Sequence, residues 1–254
     1  MSTWILLRGL ARERRHWGRF LEQLTQEMPD ARVIAIDLPG NGAFNTQTSP
    51  ANIIDMAAHC RAEMSRHRLQ PPYCLLAISM GAMVATAWAQ HYPSEIDACV
   101  LINTSFATFS PLHHRLRPRA WYGLLRLLVA RNASTREQHI FRLTSQHANI
   151  SRELLPVWIS IRLFRPVRAH NVFRQLVAAA RFRAPWVAPV PTLVLASARD
   201  GLVDPLCSRE IARRWSCAIA IHPAAGHDLP LDDGEWVARQ VRDWAKTVAQ
   251  KTGL

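Results

Sequence analysis

The sequence lacks several features that would indicate a membrane or secreted protein. No run of about 18 apolar residues occurs, so no transmembrane helix is predicted. The first apolar run, Trp4–Leu7, is too short for a signal peptide and is followed by arginine-rich sequence. Internal repeats and low-complexity segments are also missing. We therefore expect a soluble, cytoplasmic protein.

Cysteine, glycine and histidine patterns exclude further classes. The five cysteines are odd in number and form no CxxC pair, so we expect reduced thiols without a disulfide framework or a zinc site. No GxGxxG loop follows the first predicted strand, which argues against a dinucleotide. The histidines lack ligand spacing alongside a carboxylate on a strongly predicted helix. We expect neither a metal nor a cofactor.

What is present is the pattern of one α/β domain. The 254 residues are 49% hydrophobic and 20% charged, an ordinary globular composition. Short apolar runs alternate with helical patterns, and continuous apolar strands of this kind indicate a mostly parallel sheet buried on both faces. About six strands are predicted: Trp4–Leu7, Arg32–Asp37, Tyr73–Ile78, Ala98–Asn103, Thr192–Ala196 and Cys217–Ile221.

The net charge of +12 is confined to one segment. Residues 106–185 contain fourteen arginines, no lysine and two glutamates, and the remaining sequence is balanced in charge. This segment interrupts the α/β alternation, and four helices are predicted within it: Arg119–Ala130, Thr135–Gln146, Arg152–Phe164 and Ala169–Phe182. We expect residues 1–105 and 186–254 to form the core. Residues 106–185 are expected to form a separate, arginine-rich helical segment.

Ser79 stands between the apolar strand Tyr73–Ile78 and a helical pattern that begins at once. No turn residues separate the two elements, so the chain has to reverse at the serine itself. Such a strained strand-to-helix turn is a nucleophile elbow, which needs small residues two positions away on each side. Ala77 and Gly81 meet that need. A serine that caps the N-terminus of a helix would fit the same string.

A nucleophilic serine needs a base, and the base needs an orienting carboxylate. Asp200 follows the fifth predicted strand and His227 follows the sixth. Because ligands bind at the carboxyl ends of parallel strands, we expect both residues to lie on the same edge as Ser79. Asp204 is a second candidate acid, although Pro205 after it favours a helix cap. A solvated loop is predicted for Asp228, Asp232 and Asp233.

Five motifs in this order resemble the serine α/β-hydrolase superfamily, over Trp4 to about Trp244. They are Arg8-Gly9 with Trp17, the loop Asp37-Leu38-Pro39-Gly40-Asn41-Gly42, the elbow, Asp200-Gly201-Leu202-Val203 and Gly226-His227-Asp228. The first strand matches the family's third, so we expect a sheet of about six strands without the family's N-terminal hairpin. The resemblance implies an α/β-hydrolase fold in which residues 106–185 form an inserted, arginine-rich helical cap. The apolar stripes of this cap would roof a pocket for an acyl chain.

The resemblance also implies site roles. Ser79, Asp200 and His227 would form a catalytic triad, and the backbone N–H groups of Leu10 and Met80 would form an oxyanion hole. Arg8 replaces the family's usual histidine; it either shapes the loop or lines the pocket and favours an anionic substrate. The candidate pocket residues are Arg8, Trp17, Trp121 and Trp158.

The implied activity is that of a carboxylesterase that works through an acyl-enzyme. Among cap-bearing members, the arrangement most resembles the pimeloyl-acyl-carrier-protein methyl ester esterase group, whose cap uses arginines to hold an acidic carrier. The expected substrate is a small acyl ester, with an acidic acyl carrier protein, a coenzyme A ester or a phosphorylated head group as further expectations. A thioesterase, a lysophospholipase and a non-catalytic basic module are the alternatives, and arginine-preferring codon usage would explain the same charge. Nucleic acid is not an expected partner.

Overall fold

Six parallel strands form one sheet in the computed structural model, which describes residues 2–130, 132–146 and 148–252. Their order is β2-β1-β3-β4-β5-β6. The prediction of a parallel sheet of about six strands is confirmed, and each strand lies within two residues of its predicted bounds. The strands are β1 (Thr3–Leu7), β2 (Arg32–Ile36), β3 (Tyr73–Ile78), β4 (Ile96–Ile102), β5 (Thr192–Ser197) and β6 (Ala218–His222).

Helices cover both faces of this sheet. Side chains of α1 and α11 pack with one face, and side chains of α2, α3 and α9 pack with the other. The helices of these two layers, with the one-turn α10, are α1 (Phe20–Glu27), α2 (Ile53–Arg66), α3 (Met80–His91), α9 (Pro205–Trp215), α10 (Leu229–Asp232) and α11 (Gly234–Thr252).

Strand β3 shows why the apolar runs fold as strands at the centre of the sheet. All six of its residues are buried, with Leu75 and Ala77 in one core cluster and Cys74 and Leu76 in the other. Successive side chains on a strand point to opposite faces, so a continuous apolar run feeds two cores at once. All five cysteines of the chain are unpaired, and burial raises the pKa of the Cys74 thiol to about 12.

A short turn precedes helix α1. Residues Arg14–Trp17 form a short 3₁₀ turn, and Gly18 then adopts a φ of 53°, which glycine tolerates and most residues do not. The α-helix begins only at Phe20. Asp37 holds this loop in place, since its carboxylate accepts the backbone N–H of Arg14 at 2.6 Å.

Five helices lie between β4 and β5, and residues 106–185 are called the inserted segment below. Helix α6 packs against both α5 and α7, and α8 contacts the loop after β2, where the Asn171 side chain accepts the N–H of Ser49 at 2.9 Å. The domain boundaries at residues 106 and 185 stay a prediction. The helices are α4 (Leu112–Arg115), α5 (Pro118–Val129), α6 (Ala133–Thr144), α7 (Ala148–Phe164) and α8 (Ala169–Arg181).

Gly81 lies where α3 crosses the end of β1. A Cβ atom at this position would come within 2.5 Å of the Leu7 carbonyl oxygen and 2.6 Å of the Arg8 carbonyl oxygen. Both contacts are with backbone, which cannot yield without moving the strand and the loop that follows it. A residue without a side chain is therefore required here.

We predict that Gly81→Ala lowers the free energy of unfolding by about 1–3 kcal/mol, measured by urea denaturation, because the methyl group overpacks a rigid backbone crossing. Gly201→Ala is the matched control, since its Cβ would approach only the Leu143 carbonyl oxygen, at 3.2 Å. Equal losses in the two variants would contradict this steric explanation.

Candidate active site

Ser79 occupies a strained turn between β3 and α3. Its φ and ψ are 56° and −122°, a conformation that non-glycine residues rarely adopt. Although Ser79 stands at the N-cap position of α3, its side chain makes no capping hydrogen bond. The turn is fixed by its backbone, because the Ser79 N–H donates to the Ile102 carbonyl and the Thr104 hydroxyl donates to the Ser79 carbonyl, both at 2.9 Å. This geometry favours the elbow over the N-cap.

The loop after β1 runs directly beside this serine. A Cβ atom on Gly9 would lie 3.1 Å from the Ser79 Cβ and 3.6 Å from its Oγ. Leu10 follows in this loop, and Met80 is the first residue of α3. Neither backbone N–H donates to an acceptor among the residues that the structure describes. Two N–H groups near the serine are thus available to an oxygen atom, one of them at a helix N-terminus, where anions are favoured.

Asp200 and His227 form a buried hydrogen-bonded pair. The His227 Nδ1 lies 2.7 Å from the Asp200 Oδ2, and the side chains are 9% and 2% exposed. The other carboxylate oxygen accepts the backbone N–H groups of Leu202 and Val203, at 2.7 and 2.9 Å. Burial by itself would lower the pKa of His227, but the charge and hydrogen bond of Asp200 outweigh it and raise the pKa above its ordinary value.

Asp204 is the alternative acid, but the carboxylate that pairs with His227 is that of Asp200. Asp204 caps α9, where its carboxylate accepts the Leu206 N–H at 3.0 Å, as the following proline predicts. The structure thus brings Asp200 to His227 and gives Asp204 a separate, structural partner.

Asn103 fastens the loop that carries His227, and sequence reasoning did not find it. Its amide nitrogen donates to the His227 carbonyl at 2.8 Å and to the Ser197 Oγ at 2.9 Å, and its amide oxygen accepts the Ser197 N–H at 2.8 Å. The next residue, Thr104, is the one that holds the Ser79 carbonyl. Two consecutive residues after β4 therefore connect the serine turn to the histidine loop. A polar residue at the end of a predicted strand was the available signal.

Arg8 is tied to Asp228 in a buried ion pair. The Arg8 Nη1 donates to the Asp228 Oδ1 at 3.0 Å, Nη2 donates to the other oxygen, and the two side chains are 4% and 5% exposed. The guanidinium carbon also lies 4.8 Å from the centre of the Trp17 ring. These contacts favour a loop-shaping role for Arg8, since both terminal nitrogens bind a protein carboxylate.

The prediction of a solvated loop for the aspartates after His227 is wrong for two of them. Asp228 is buried by Arg8, and Asp232 accepts the N–H of Gly226 at 2.6 Å and the hydroxyl of Ser145 at 2.5 Å. Both carboxylates accept hydrogen bonds from protein groups instead of water. The sequence pattern does not reveal these distant donors. Asp233 is partly exposed and accepts the Trp236 N–H at 2.9 Å.

The inserted segment contacts both loops of the acid–base pair. The Asp228 N–H, one residue beyond His227, donates to the Thr144 carbonyl at 2.7 Å. Arg117 and Arg119 donate to the carbonyl oxygen of Asp200, at 3.2 and 3.0 Å. The positions of Asp200 and His227 therefore depend on residues between β4 and β5 as well as on the sheet.

The tryptophans predicted for a substrate pocket lie in three different environments. Trp17 is 2% exposed and packs on Phe20, with ring centres 5.4 Å apart. Trp158 is also 2% exposed and packs on Phe141, with ring centres 4.9 Å apart, whereas Trp121 is 51% exposed on α5. Both buried rings have packing partners, and a role in substrate binding stays a prediction for all three.

Within residues 2–130, 132–146 and 148–252, no group of three or more histidine, cysteine, aspartate or glutamate side chains is placed to hold a metal ion. Over the same residues, no helix combines the length and apolar character needed to cross a bilayer.

We predict that Asp228→Asn lowers the free energy of unfolding by about 3–5 kcal/mol, because it leaves the Arg8 charge buried and unpaired. Replacing both partners, with Arg8→Met and Asp228→Leu together, removes that charge, so most of the loss should be recovered. Urea denaturation of Arg8→Met, Asp228→Leu and the double variant measures the coupling. If the loss of unfolding free energy in the double variant equals the sum of the losses in the two single variants, the ion pair is contradicted.

Comparison with known proteins places this chain in a family. A family model described as the alpha/beta hydrolase fold matches residues 5–234. A thermophilic esterase from Thermogutta terrifontis has a TM-score of 0.74 and 22% identity, covering 98% of this chain and 90% of that chain. The Lip1 protein of Acinetobacter baumannii AYE has a TM-score of 0.80 and 23% identity, with coverages of 98% and 85%.

A third solved structure is 2-hydroxy-6-oxo-6-phenylhexa-2,4-dienoate hydrolase from Rhodococcus sp. strain RHA1. Its TM-score is 0.77 at 17% identity, and the match covers 95% of this chain and 89% of that chain. No curated protein matches the sequence. At these identities the likeness to solved structures is one of fold. The family model covers most of the chain, and the protein belongs to the α/β hydrolase family.

Proposed function

We propose that this protein is a serine hydrolase that cleaves a carboxylic ester through an acyl-enzyme. The observation that carries the proposal is the strained backbone of Ser79, with a φ of 56°, together with the buried Asp200–His227 pair in the same fold. Strain of this kind persists only where the surroundings enforce it, and it concentrates at functional sites. A helix cap or a passive loop would not require it.

In the proposed reaction, the Ser79 Oγ attacks the ester carbonyl carbon while the His227 Nε2 takes the hydroxyl proton. Nδ1 of the same ring keeps its proton and donates a hydrogen bond to Asp200, whose negative charge stabilises the imidazolium that forms. Collapse of the tetrahedral intermediate expels the alcohol, which receives the proton from His227. A water molecule then attacks the acyl-enzyme with the same base, and the acid leaves as Ser79 regains its proton.

The oxyanion of both tetrahedral intermediates would be held by the N–H groups of Leu10 and Met80. Support comes from their position, because Gly9 lies against Ser79 and neither N–H has an acceptor among the described residues. Each donor of this type typically contributes about 10²–10³ in rate. Gly9 fits this arrangement, since a side chain there would press on the serine.

The inserted segment is proposed as the cap over this site, and an ester as the substrate. Its contacts with the Asp200 and His227 loops support the first point, and the esterase among the structures of similar fold supports the second. Thioester or lysophospholipid substrates are the alternatives, and substrate panels separate them. The likeness to the pimeloyl-acyl-carrier-protein group stays a prediction.

Delivery of the acyl group by an acidic carrier or coenzyme A also stays a prediction. At least six arginines of the inserted segment donate hydrogen bonds within the protein, so part of the positive charge has a structural use. They are Arg115, Arg117, Arg119, Arg136, Arg162 and Arg174.

We predict that Ser79→Ala abolishes hydrolysis of a p-nitrophenyl ester series from acetate to dodecanoate, with a loss of about 10⁶ in kcat. The wild-type protein should prefer one chain length, which measures the pocket. Ser65→Ala, a change on the exposed end of α2, is the control and should retain full activity. Equal activity in the wild-type protein and Ser79→Ala would exclude the proposed nucleophile.

The rate should follow the ionisation of His227, which acts as a base only when neutral. Because Asp200 raises the pKa of His227, kcat/KM should increase with pH and reach half its plateau above pH 6.5. Asp200→Asn removes the charge that raises this pKa, so the midpoint should move to lower pH while the plateau of kcat falls by about 10⁴. A midpoint unchanged by that substitution would contradict the pairing.

A further inference from the structure

Helix α5 carries large apolar side chains on its exposed side as well as on its packed side. Its twelve residues, Pro118–Val129, contain only two charged side chains, those of Arg119 and Arg126. One face packs inward: Ala120 is buried, and Gly123 leaves room for Leu143 of α6. Helices at the surface of soluble proteins usually expose a polar face opposite the buried one. On α5 the exposed charged side chains, Arg119 and Arg126, lie along one edge of the exposed side.

The outer face of α5 exposes three large apolar side chains. Trp121, Tyr122 and Leu125 are 51%, 65% and 60% exposed. At about 100° per residue, these three positions fall within an arc of about 100°, so they form one continuous patch. We call this set the α5 patch. Exposed apolar residues scattered singly need no explanation, but a contiguous patch of this kind marks an interaction surface.

The charge around the α5 patch is positive. The guanidinium of Arg126 lies 4.7 Å from the centre of the Tyr122 ring, at the edge of the patch. The inserted segment has fourteen arginines and only two carboxylates. One of these, Glu137, is fully buried and is bound by Arg12 and Arg162. Little negative charge is left on this surface to balance the arginines.

These two properties select among the partners that could cover the patch. A second copy of the chain would bring the same excess of arginine to the interface, and like charges would oppose association. An acidic carrier protein would match the arginines but would not require a tryptophan, a tyrosine and a leucine on one exposed stripe. An anionic lipid bilayer accounts for both, since arginines pair with its head groups while aromatic and leucine side chains enter the acyl boundary.

We propose that α5 docks on an anionic lipid bilayer and lies in the plane of its surface. The N-terminal end of the same helix reaches the candidate active site, because Arg117 and Arg119 both donate to the Asp200 carbonyl. Docking would therefore place the site beside the lipid surface. This inference goes beyond the proposed esterase activity and does not require it.

Co-sedimentation with vesicles tests the proposal in the full-length Ser79→Ala protein, which cannot consume lipid by the proposed mechanism. Binding is expected to vesicles that contain phosphatidylglycerol and not to phosphatidylcholine alone, and it should weaken as salt increases. Replacing Trp121, Tyr122 and Leu125 with serine should weaken binding by at least about tenfold. Arg126→Gln should weaken it by about fivefold, the effect of one basic residue beside such a surface.

Matched controls replace exposed side chains of the same kinds on helices outside the inserted segment. Ile54→Ser, at a side chain 46% exposed on α2, and Arg209→Gln on α9 should leave binding unchanged. The single Arg126→Gln variant keeps the test valid if the triple variant fails to fold. Three results would overturn the proposal. The first is equal binding by Ser79→Ala with and without Arg126→Gln, and the second is equal binding to both kinds of vesicle. The third is a dimer in solution that the α5 substitutions dissociate.

Discussion

The close approach of three backbone segments around Ser79 is the constraint on which the site depends. Helix α3 crosses the end of β1 so tightly that Gly81 has no room for a Cβ atom, and Gly9 presses against the serine from the other side. This crowding holds Ser79 at a φ that serine would otherwise avoid. The strain is stabilised by packing on the face of the sheet that α3 covers, because α3 is buried almost throughout. The position of the partly exposed serine is thus a consequence of core packing.

Polar contacts then transmit this rigidity to the acid–base pair. Asn103 and Thr104 join the histidine loop to the serine turn, and the Asp200 carboxylate is fixed by two backbone N–H groups. The inserted segment adds its own contacts to both loops. Since these groups are buried, each missing partner would be costly. A movement of the inserted segment would therefore change the geometry of Asp200 and His227 together.

Much of this was predictable from the sequence, for physical reasons. The continuous apolar runs predicted buried strands. Because Ser79, Asp200 and His227 each follow the carboxyl end of a strand (β3, β5 and β6), the sequence also predicted that they lie at one edge of the sheet. Partners distant in the chain were not predictable. Asp228 looks like a solvated aspartate until the fold brings Arg8 to it across 220 residues, and Asn103 looks like the end of a strand. The periodicity of apolar residues predicts which residues are buried. It does not predict which buried polar groups form hydrogen bonds with each other.

In the proposed mechanism, Ser79 is a nucleophile activated by His227. The most direct measurement is covalent labelling of the intact protein with a fluorophosphonate, followed by mass spectrometry of the protein and its peptides. We expect one adduct, located on Ser79, that forms quickly in the wild-type protein and is lost in His227→Ala. An adduct on another residue, or labelling of Ser79 that continues undiminished without His227, would contradict it.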